Sequence, residues 1–346
     1  MRLHTMFKKL SQKREPGTFG VGATGVFLRK VFIPSYQVLR GRRLDLLQAE
    51  WMVQGLFSRQ WQRRYDRIDR AKQPYKDICC ETEFGPELKY YLPYAYWHYL
   101  NGTLRGTSSF KDTSPFYFFS PRHVEHEGLR RWILDPEIPN SEDHNFTYSY
   151  RRWAPVPLKE MYRSALAFGF DKPLVIISNK FNNEWNKGPI NYLTTELLGQ
   201  MAARLTPHFT VIYNRPGSDM IVVDHNDTQS FDDKAYLKTN YPSVHLAEDL
   251  FQKHQSEVTS FNHFQLALYA QCERFISVQG GNSVLASYFG GTNLVFQRAG
   301  QEIFFNELST IYPRLAGTRC LGFSTYESLL EAIDLHYLES VPAQVS

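Results

Sequence analysis

The feature that most constrains the fold is the stretch of residues 274–298, RFISVQGGNSVLASYFGGTNLVFQR. Its first apolar segment is short enough for a buried strand, and the Gly-Gly pair at 280–281 permits a tight turn. Asn282 or Ser283 can then cap a helix, and the second Gly-Gly pair at 290–291 ends that helix before another apolar segment. The stretch therefore predicts a strand–turn–helix–strand unit.

The same alternation of strands and helices runs upstream of this unit. Residues 172–178 and 209–213 are apolar segments typical of buried strands, and residues 190–205 have apolar side chains at helical spacing. Strands that alternate with helices predict parallel βαβ units. We expect an α/β protein whose C-terminal half is a parallel sheet with helices on both faces.

Polar loops follow three of these strands, at residues 179–187, 214–219 and 279–283. In an open parallel sheet, ligands bind beyond the carboxyl ends of the strands. The loops supply cations, amides and free backbone N–H groups that suit a diphosphate. The predicted ligand-binding residues are Lys180, Lys187, Asn214, Arg215, Gly280, Gly281, Asn282 and Ser283. The alternative is an ordinary βαβ connection that binds nothing.

The order of residues 268–293, LYAQCERFISVQGGNSVLASYFGGTN, resembles the C-terminal nucleotide-sugar half of GT-B glycosyltransferases, such as heptosyltransferase-like and fucosyltransferase-like enzymes. The resemblance is close over this stretch and loose over the rest of the half. It implies two Rossmann-like halves. It also implies metal-independent transfer of a sugar from a nucleoside-diphosphate sugar to a glycan or another hydroxyl acceptor, with no cofactor.

The resemblance also implies roles for individual residues. In similar enzymes, a basic residue near the first strand of this half and the turn before the late helix stabilise the leaving diphosphate. Here these positions are Arg215 and residues 280–283, although the Pro-Gly that follows Arg215 departs from the family pattern. The acceptor side is normally N-terminal, which makes His123 and Glu125 candidates for the catalytic base. Surface salt bridging is the alternative for both, and the spacing of HVEHE matches no standard zinc site.

The division of the chain follows from its length and composition. A chain of 346 residues is long enough for two ordinary domains. We predict a flexible basic tail at 1–16, an acceptor-side domain at 17–160 and a nucleotide-sugar domain at 161–346. Before Asp45 the sequence has ten Lys and Arg residues and a single acid, Glu15. This region is either a solvated tail or a peripheral contact with an anionic membrane.

Other patterns narrow the location and the function class. No apolar run is long enough to span a membrane, and no signal-peptide core is present, so a cytoplasmic protein with reduced thiols is expected. The sequence lacks a P-loop motif and a nucleic-acid-binding motif. The remaining alternatives to a glycosyltransferase are a non-catalytic nucleotide- or glycan-binding scaffold and a sulfotransferase-like enzyme.

Overall fold

Two parallel sheets, one of three strands and one of six, organise the described residues of the chain. The computed structural model describes residues 28–41, 46, 48–49, 52, 63, 65–131, 138, 150–184, 187–218, 220–222, 224, 230–300, 303 and 306–339. The predicted α/β class is confirmed.

The smaller sheet has the strand order β1-β2-β3. Its strands are β1 (Lys76–Cys79), β2 (Leu104–Phe110) and β3 (His123–His126), and they pair in parallel. The helical elements of this half whose bounds the structure describes are a π-helical turn at Leu28–Phe32, α1 (Ile33–Arg40), an α-helical turn at Phe84–Pro86, a π-helical turn at Glu87–Tyr91, α2 (Leu92–Leu100), a 3₁₀ turn at Ser114–Tyr117 and α3 (Leu158–Tyr162). The predicted boundary between residues 160 and 161 falls inside α3.

The larger sheet has the strand order β6-β5-β4-β7-β8-β9, with parallel pairing throughout. Its strands are β4 (Leu174–Ser178), β5 (Thr210–Asn214), β6 (His245–Leu246), β7 (Arg274–Val278), β8 (Thr292–Phe296) and β9 (Arg319–Phe323). Its helical elements are α4 (Thr195–Leu205), α5 (Asp233–Asn240), α6 (Ala247–His254), α7 (Phe261–Tyr269), α8 (Gly281–Ala286), a 3₁₀ turn at Ser287–Phe289, α9 (Glu307–Thr310), α10 (Pro313–Ala316), α11 (Tyr326–Ile333) and a π-helical turn at Asp334–Leu338.

Helices cover both faces of the larger sheet, as predicted. Successive side chains of a strand point to opposite faces. Ile176 and Phe275 therefore join one apolar core, which continues into the N-terminal half. Ile177 and Ile276 join a second core on the other face, with apolar side chains from α4 and α11. Strands that are buried on both sides need near-continuous apolar sequence, which explains the pattern LVIIS in β4.

The helical segment 84–100 of the N-terminal half packs directly on the C-terminal half. The ammonium of Lys89 lies 2.8 and 3.0 Å from the two carboxylate oxygens of Glu307, and both side chains are buried. The hydroxyl of Tyr288 donates to the carbonyl of Leu88 at 2.7 Å. This segment therefore fixes how the two sheets are placed relative to each other.

No helix within the described ranges is both long and apolar enough to cross a membrane.

A buried histidine in α2 gives the fold a predictable dependence on pH. His98 is fully buried, and its Nδ1 lies 2.7 Å from the hydroxyl of Thr103. Burial, together with the charges of Lys76 and Arg152, lowers the pKa of His98 to about 2. In the unfolded chain the pKa of histidine is about 6.5. The stability that a neutral His98 provides is therefore complete above about pH 6.5 and falls as the pH drops below it.

We expect His98→Asn, which keeps a polar group near the position of Nδ1, to reduce this pH dependence. Between pH 7 and 5 the parent should lose about 2 kcal/mol more of its free energy of unfolding than the variant loses. Urea unfolding of the parent and of the variant at several pH values measures the two losses of the free energy of unfolding. Equal losses in the two proteins would show that His98 is not the titrating group.

Candidate functional site

The strand order of the larger sheet puts its topological switch point between β4 and β7. The chain runs from β4 outward through β5 to β6, and then returns to place β7 on the other side of β4. The loops after β4 and β7 therefore leave the sheet in opposite directions. Such a switch point leaves a crevice at the carboxyl edge, where open α/β sheets bind their ligands.

The turn after β7 forms one wall of this crevice. Gly280 has a φ of 125°, a conformation that side chains other than glycine rarely adopt. It is the N-cap of α8, and no side-chain oxygen caps this helix. The expected caps are therefore wrong: Ser283 Oγ donates to the Gly280 carbonyl at 2.8 Å, and Asn282 Nδ2 donates to the Asn179 carbonyl at 3.3 Å. The amide of Asn282 ties the β7 turn to the β4 loop.

The loop after β4 forms the other wall and brings a cation to the turn. The ammonium of Lys180 lies 3.4 Å from the position that a Cβ on Gly280 would take. It also pairs with Glu184 at 2.8 Å, and the Lys180 side chain is 26% exposed, so solvent still reaches it. Because an ammonium has three donors, this pairing leaves it able to contact a further anion. Lys180 and Gly280, both predicted ligand residues, are thus brought together.

A buried amide and carboxylate hold this loop in place. Glu184 accepts a hydrogen bond of 2.6 Å from Asn191 Nδ2. The other amide atom of Asn191, Oδ1, accepts from the backbone N–H of Arg298 at 2.7 Å. The β4 loop is therefore fastened to the loop after β8. Lys187 stands apart: its backbone pairs with that of Glu184, and its side chain is exposed.

The loop after β5 presents a cation that already has a partner. Arg215 donates from Nε and Nη2 to the two carboxylate oxygens of Asp233, at 2.6 and 2.5 Å. Asp233 is fully buried and also accepts from the hydroxyl of Tyr213. A direct grip on phosphate would require this pair to open, so the catalytic role of Arg215 stays a prediction. Its present contacts stabilise the start of α5.

Asn214 lies beneath the crevice and does not line its surface. It is fully buried, and its Nδ2 donates to Gln265 Oε1 and to the hydroxyl of Tyr269, both at 2.8 Å. These bonds connect the end of β5 to α7. Its position supports the shape of the carboxyl edge.

The two candidate bases belong to β3 in the smaller sheet, and their hydrogen-bond partners all lie in the N-terminal half. His123 contacts the Thr107 and Thr113 hydroxyls through Nδ1 and Nε2, at 2.8 and 3.2 Å. Burial lowers the pKa of His123. With both ring nitrogens bonded to hydroxyls, His123 lacks the open acceptor that a general base needs in this conformation.

Glu125 closes a turn, and it forms no salt bridge with another described residue, which was the alternative interpretation. Its carboxylate accepts from the backbone N–H of Asp112 and from the N–H and hydroxyl of Ser114, at 2.6–2.8 Å. Burial alone would raise the pKa of Glu125, but these hydrogen bonds outweigh burial and hold the pKa below its usual value. Glu125 is therefore ionised at neutral pH, and its oxygens are engaged.

Sequence reasoning missed the residues of the N-terminal half that cover the crevice. A Cβ on Gly281 would lie 2.7 Å from Phe84 Cδ1 and 3.4 Å from the backbone nitrogen of Gly85. The Phe84 N–H in turn donates to Asp224 Oδ1 at 3.0 Å. No local motif marks Phe84, because its importance comes only from contact across the two halves. Of the three predicted ligand-binding loops, residues 185–186 and 219 lie outside the described residues.

Within the described ranges, no group of three or more His, Cys, Asp or Glu side chains could hold a metal ion.

Comparisons with known proteins give weak likenesses only. No family model and no curated protein matches the sequence. ADP-heptose LPS heptosyltransferase II from E. coli is 10% identical, with coverage of 83% of this chain and 82% of that chain and a TM-score of 0.37. A family 9 glycosyl transferase from Veillonella parvula is 10% identical, with coverage of 82% and 78% and a TM-score of 0.35. Sucrose-phosphate synthase from Thermosynechococcus elongatus is 13% identical, with coverage of 95% and 73% and a TM-score of 0.28.

The first two of these proteins are named as a heptosyltransferase and a glycosyl transferase, and residues 268–293 resemble enzymes of that class. All three TM-scores are below 0.5, so these likenesses carry no argument about activity, donor or acceptor.

Proposed function

We propose that this protein is a glycosyltransferase that binds a nucleoside-diphosphate sugar in the crevice between β4 and β7. The observation that supports this most directly is the position of the Lys180 ammonium, 3.4 Å from where a Cβ on Gly280 would lie. A cation and a side-chain-free turn then meet at the switch point of a parallel sheet, where a diphosphate fits.

The proposed reaction needs a positive charge at this place. The acceptor hydroxyl oxygen forms a bond to the anomeric carbon, and the bond from that carbon to the diphosphate oxygen breaks. The electron pair stays on the diphosphate, so its negative charge grows. A preorganised ammonium stabilises that charge without a metal ion. The hydroxyl proton goes to a base, for which His123 and Glu125 remain the predicted candidates on the acceptor side.

Glu184 gives the proposed site a preformed geometry. It holds the Lys180 ammonium at 2.8 Å before any ligand is present, and Asn191 fixes the carboxylate. A long lysine side chain loses rotamer freedom when it is ordered. Because Glu184 already orders the Lys180 side chain in the free protein, less conformational entropy is lost when the diphosphate binds, and this favours binding.

A thermal-shift titration with UDP, GDP, ADP, CMP and adenosine 3′,5′-bisphosphate tests the proposal. A ligand that binds only the native state raises the melting temperature. We expect one nucleoside diphosphate to stabilise the protein selectively. Selective stabilisation by the bisphosphate would indicate a sulfotransferase-like enzyme. A flat response to all five would favour a scaffold that binds no nucleotide.

We expect Lys180→Met to weaken binding of that nucleoside diphosphate about 10- to 100-fold, because a charge-assisted hydrogen bond is lost. Isothermal titration measures the two dissociation constants. Lys172→Met is the matched control, because Lys172 lies before the amino end of β4, where its ammonium contacts the carbonyls of Thr206 and Pro207 at 3.0 Å. Equal affinities for the Lys180 variant and the parent would rule out the proposed position of the diphosphate.

A further inference from the structure

The helical segment 28–40, which comprises the π-helical turn Leu28–Phe32 and α1, packs very little of its surface against the rest of the described chain. No residue of α1 is buried. Val38 is 86% exposed, Leu39 80% and Val31 50%. Val31 and Val38 are seven residues apart, so they lie on the same side of the segment, with Leu39 beside them. Among the described residues, this helical segment therefore has no partner for its exposed apolar face.

The segment also carries exposed cations. Arg29, Lys30 and Arg40 are all exposed, and the segment contains no acidic residue. Arg29 and Arg40 are eleven residues apart, which places them on a common side of the helix. The sequence continues the positive charge, with Arg42 and Arg43 directly after the segment. The surface therefore combines apolar side chains with a run of positive charge that no acidic residue of the segment offsets.

We propose that the segment 28–40 binds an anionic membrane surface, lying in the interface with Val31, Val38 and Leu39 inserted among the lipids and the basic side chains at the headgroups. Short amphipathic helices with basic flanks bind in this way, through apolar burial and attraction to anionic lipids. This surface goes beyond the proposed transfer reaction, whose crevice lies in the larger sheet.

The charge pattern distinguishes this partner from other occupants. A second copy of the chain would bring two basic segments together, which like-charge repulsion opposes. A nucleic acid would satisfy the cations, but it gives Val38 and Leu39 no apolar environment. An anionic lipid surface satisfies both the cations and the apolar side chains.

Vesicle co-sedimentation of the full chain tests the proposal. We expect binding to phosphatidylcholine vesicles that contain about 30% phosphatidylglycerol, and much weaker binding to pure phosphatidylcholine. Raising the salt from about 0.1 M to about 0.5 M should weaken binding, because exposed charges are screened. The triple variant Arg29→Gln, Lys30→Gln, Arg40→Gln should bind about 100-fold more weakly, since each cation contributes about fivefold near an anionic surface.

The apolar contribution is tested by Val38→Ser with Leu39→Ser, which should weaken binding about tenfold or more. Matched controls change exposed residues elsewhere: Lys111→Gln, Arg163→Gln and Lys253→Gln for the charges, and Met161→Ser with Leu335→Ser, which are 50% and 55% exposed, for the apolar contacts. Binding that falls as much in the controls as in the segment variants would overturn the proposal. So would equal binding to neutral vesicles, or a dimer in solution that the serine variant dissociates.

Discussion

Glu307→Ala is expected to destabilise the protein by about 3–5 kcal/mol, because it removes a buried carboxylate that pairs with the buried Lys89 ammonium through both of its oxygens. The Lys89 and Glu307 side chains are 7% and 0% exposed, so solvent cannot replace the lost partner. Equilibrium urea unfolding measures this loss. Since the pair joins the N-terminal helical segment 84–100 to α9, its loss should also loosen the contact between the two halves.

The exposed pair between Lys238 and Asp249 is the matched control for the buried pair. Its nitrogen–oxygen distance is 2.9 Å, close to that of the buried pair, but its side chains are 55% and 46% exposed. Asp249→Ala should therefore cost less than about 1 kcal/mol. The double variant Lys89→Met, Glu307→Leu should recover part of the loss, because it removes both buried charges of this pair. A Glu307→Ala cost no larger than that of Asp249→Ala would contradict the account of the contact between the halves.

Gly291→Ala is expected to destabilise the fold by at least about 3 kcal/mol. Gly291 has a φ of +66°, and a Cβ there would lie 2.1 Å from the carbonyl oxygen of Glu273. The neighbouring N–H of Thr292 already donates to that carbonyl at 2.9 Å, so the backbone cannot move away without losing the first bond of β8. The cost combines the strain of a left-handed alanine with the clash.

Gly317→Ala separates these two contributions. Gly317 has nearly the same φ, +71°, but no atom lies within 4 Å of the position its Cβ would take. Gly317→Ala should therefore lower the free energy of unfolding by only about 1 kcal/mol, the penalty for the backbone conformation alone. Thermal and urea unfolding of both variants give the difference directly. Similar costs at the two positions would mean that the close approach to Glu273 does not constrain the fold.

Residues 274–298 show how far local sequence determines this fold. The two strands and both glycine pairs fall where the pattern predicts them, because apolar runs and glycine conformations act over a few residues, but the helix begins at Gly281, before the expected caps Asn282 and Ser283. The start of α4 is less well predicted. The apolar pattern predicts a start at residue 190, but the helix begins at Thr195. Thr194 is its N-cap, and the hydroxyl of Thr194 accepts a hydrogen bond of 3.3 Å from the Leu197 N–H. A capping residue thus overrides the apolar period at the helix start.

The partners of the predicted site residues could not be read from sequence. The ion pair of Arg215 with Asp233 joins residues that are 18 positions apart. The approach of Phe84 to Gly281 spans the two halves of the chain. Both depend on tertiary packing, which has no local signature. The strands whose loops form the crevice were predicted, because a parallel sheet places their carboxyl ends at one edge.

The central claim is that the crevice between β4 and β7 binds the diphosphate of a sugar nucleotide. Crystals of the protein soaked separately with UDP, GDP and ADP test it most directly. We predict diphosphate density within hydrogen-bonding distance of the Lys180 ammonium and beside the Gly280 turn for one of the three. Density only at another place, such as the hollow lined by Lys238, His245 and Lys253 beside β6, would contradict the claim, as would an empty crevice at saturating concentrations of all three.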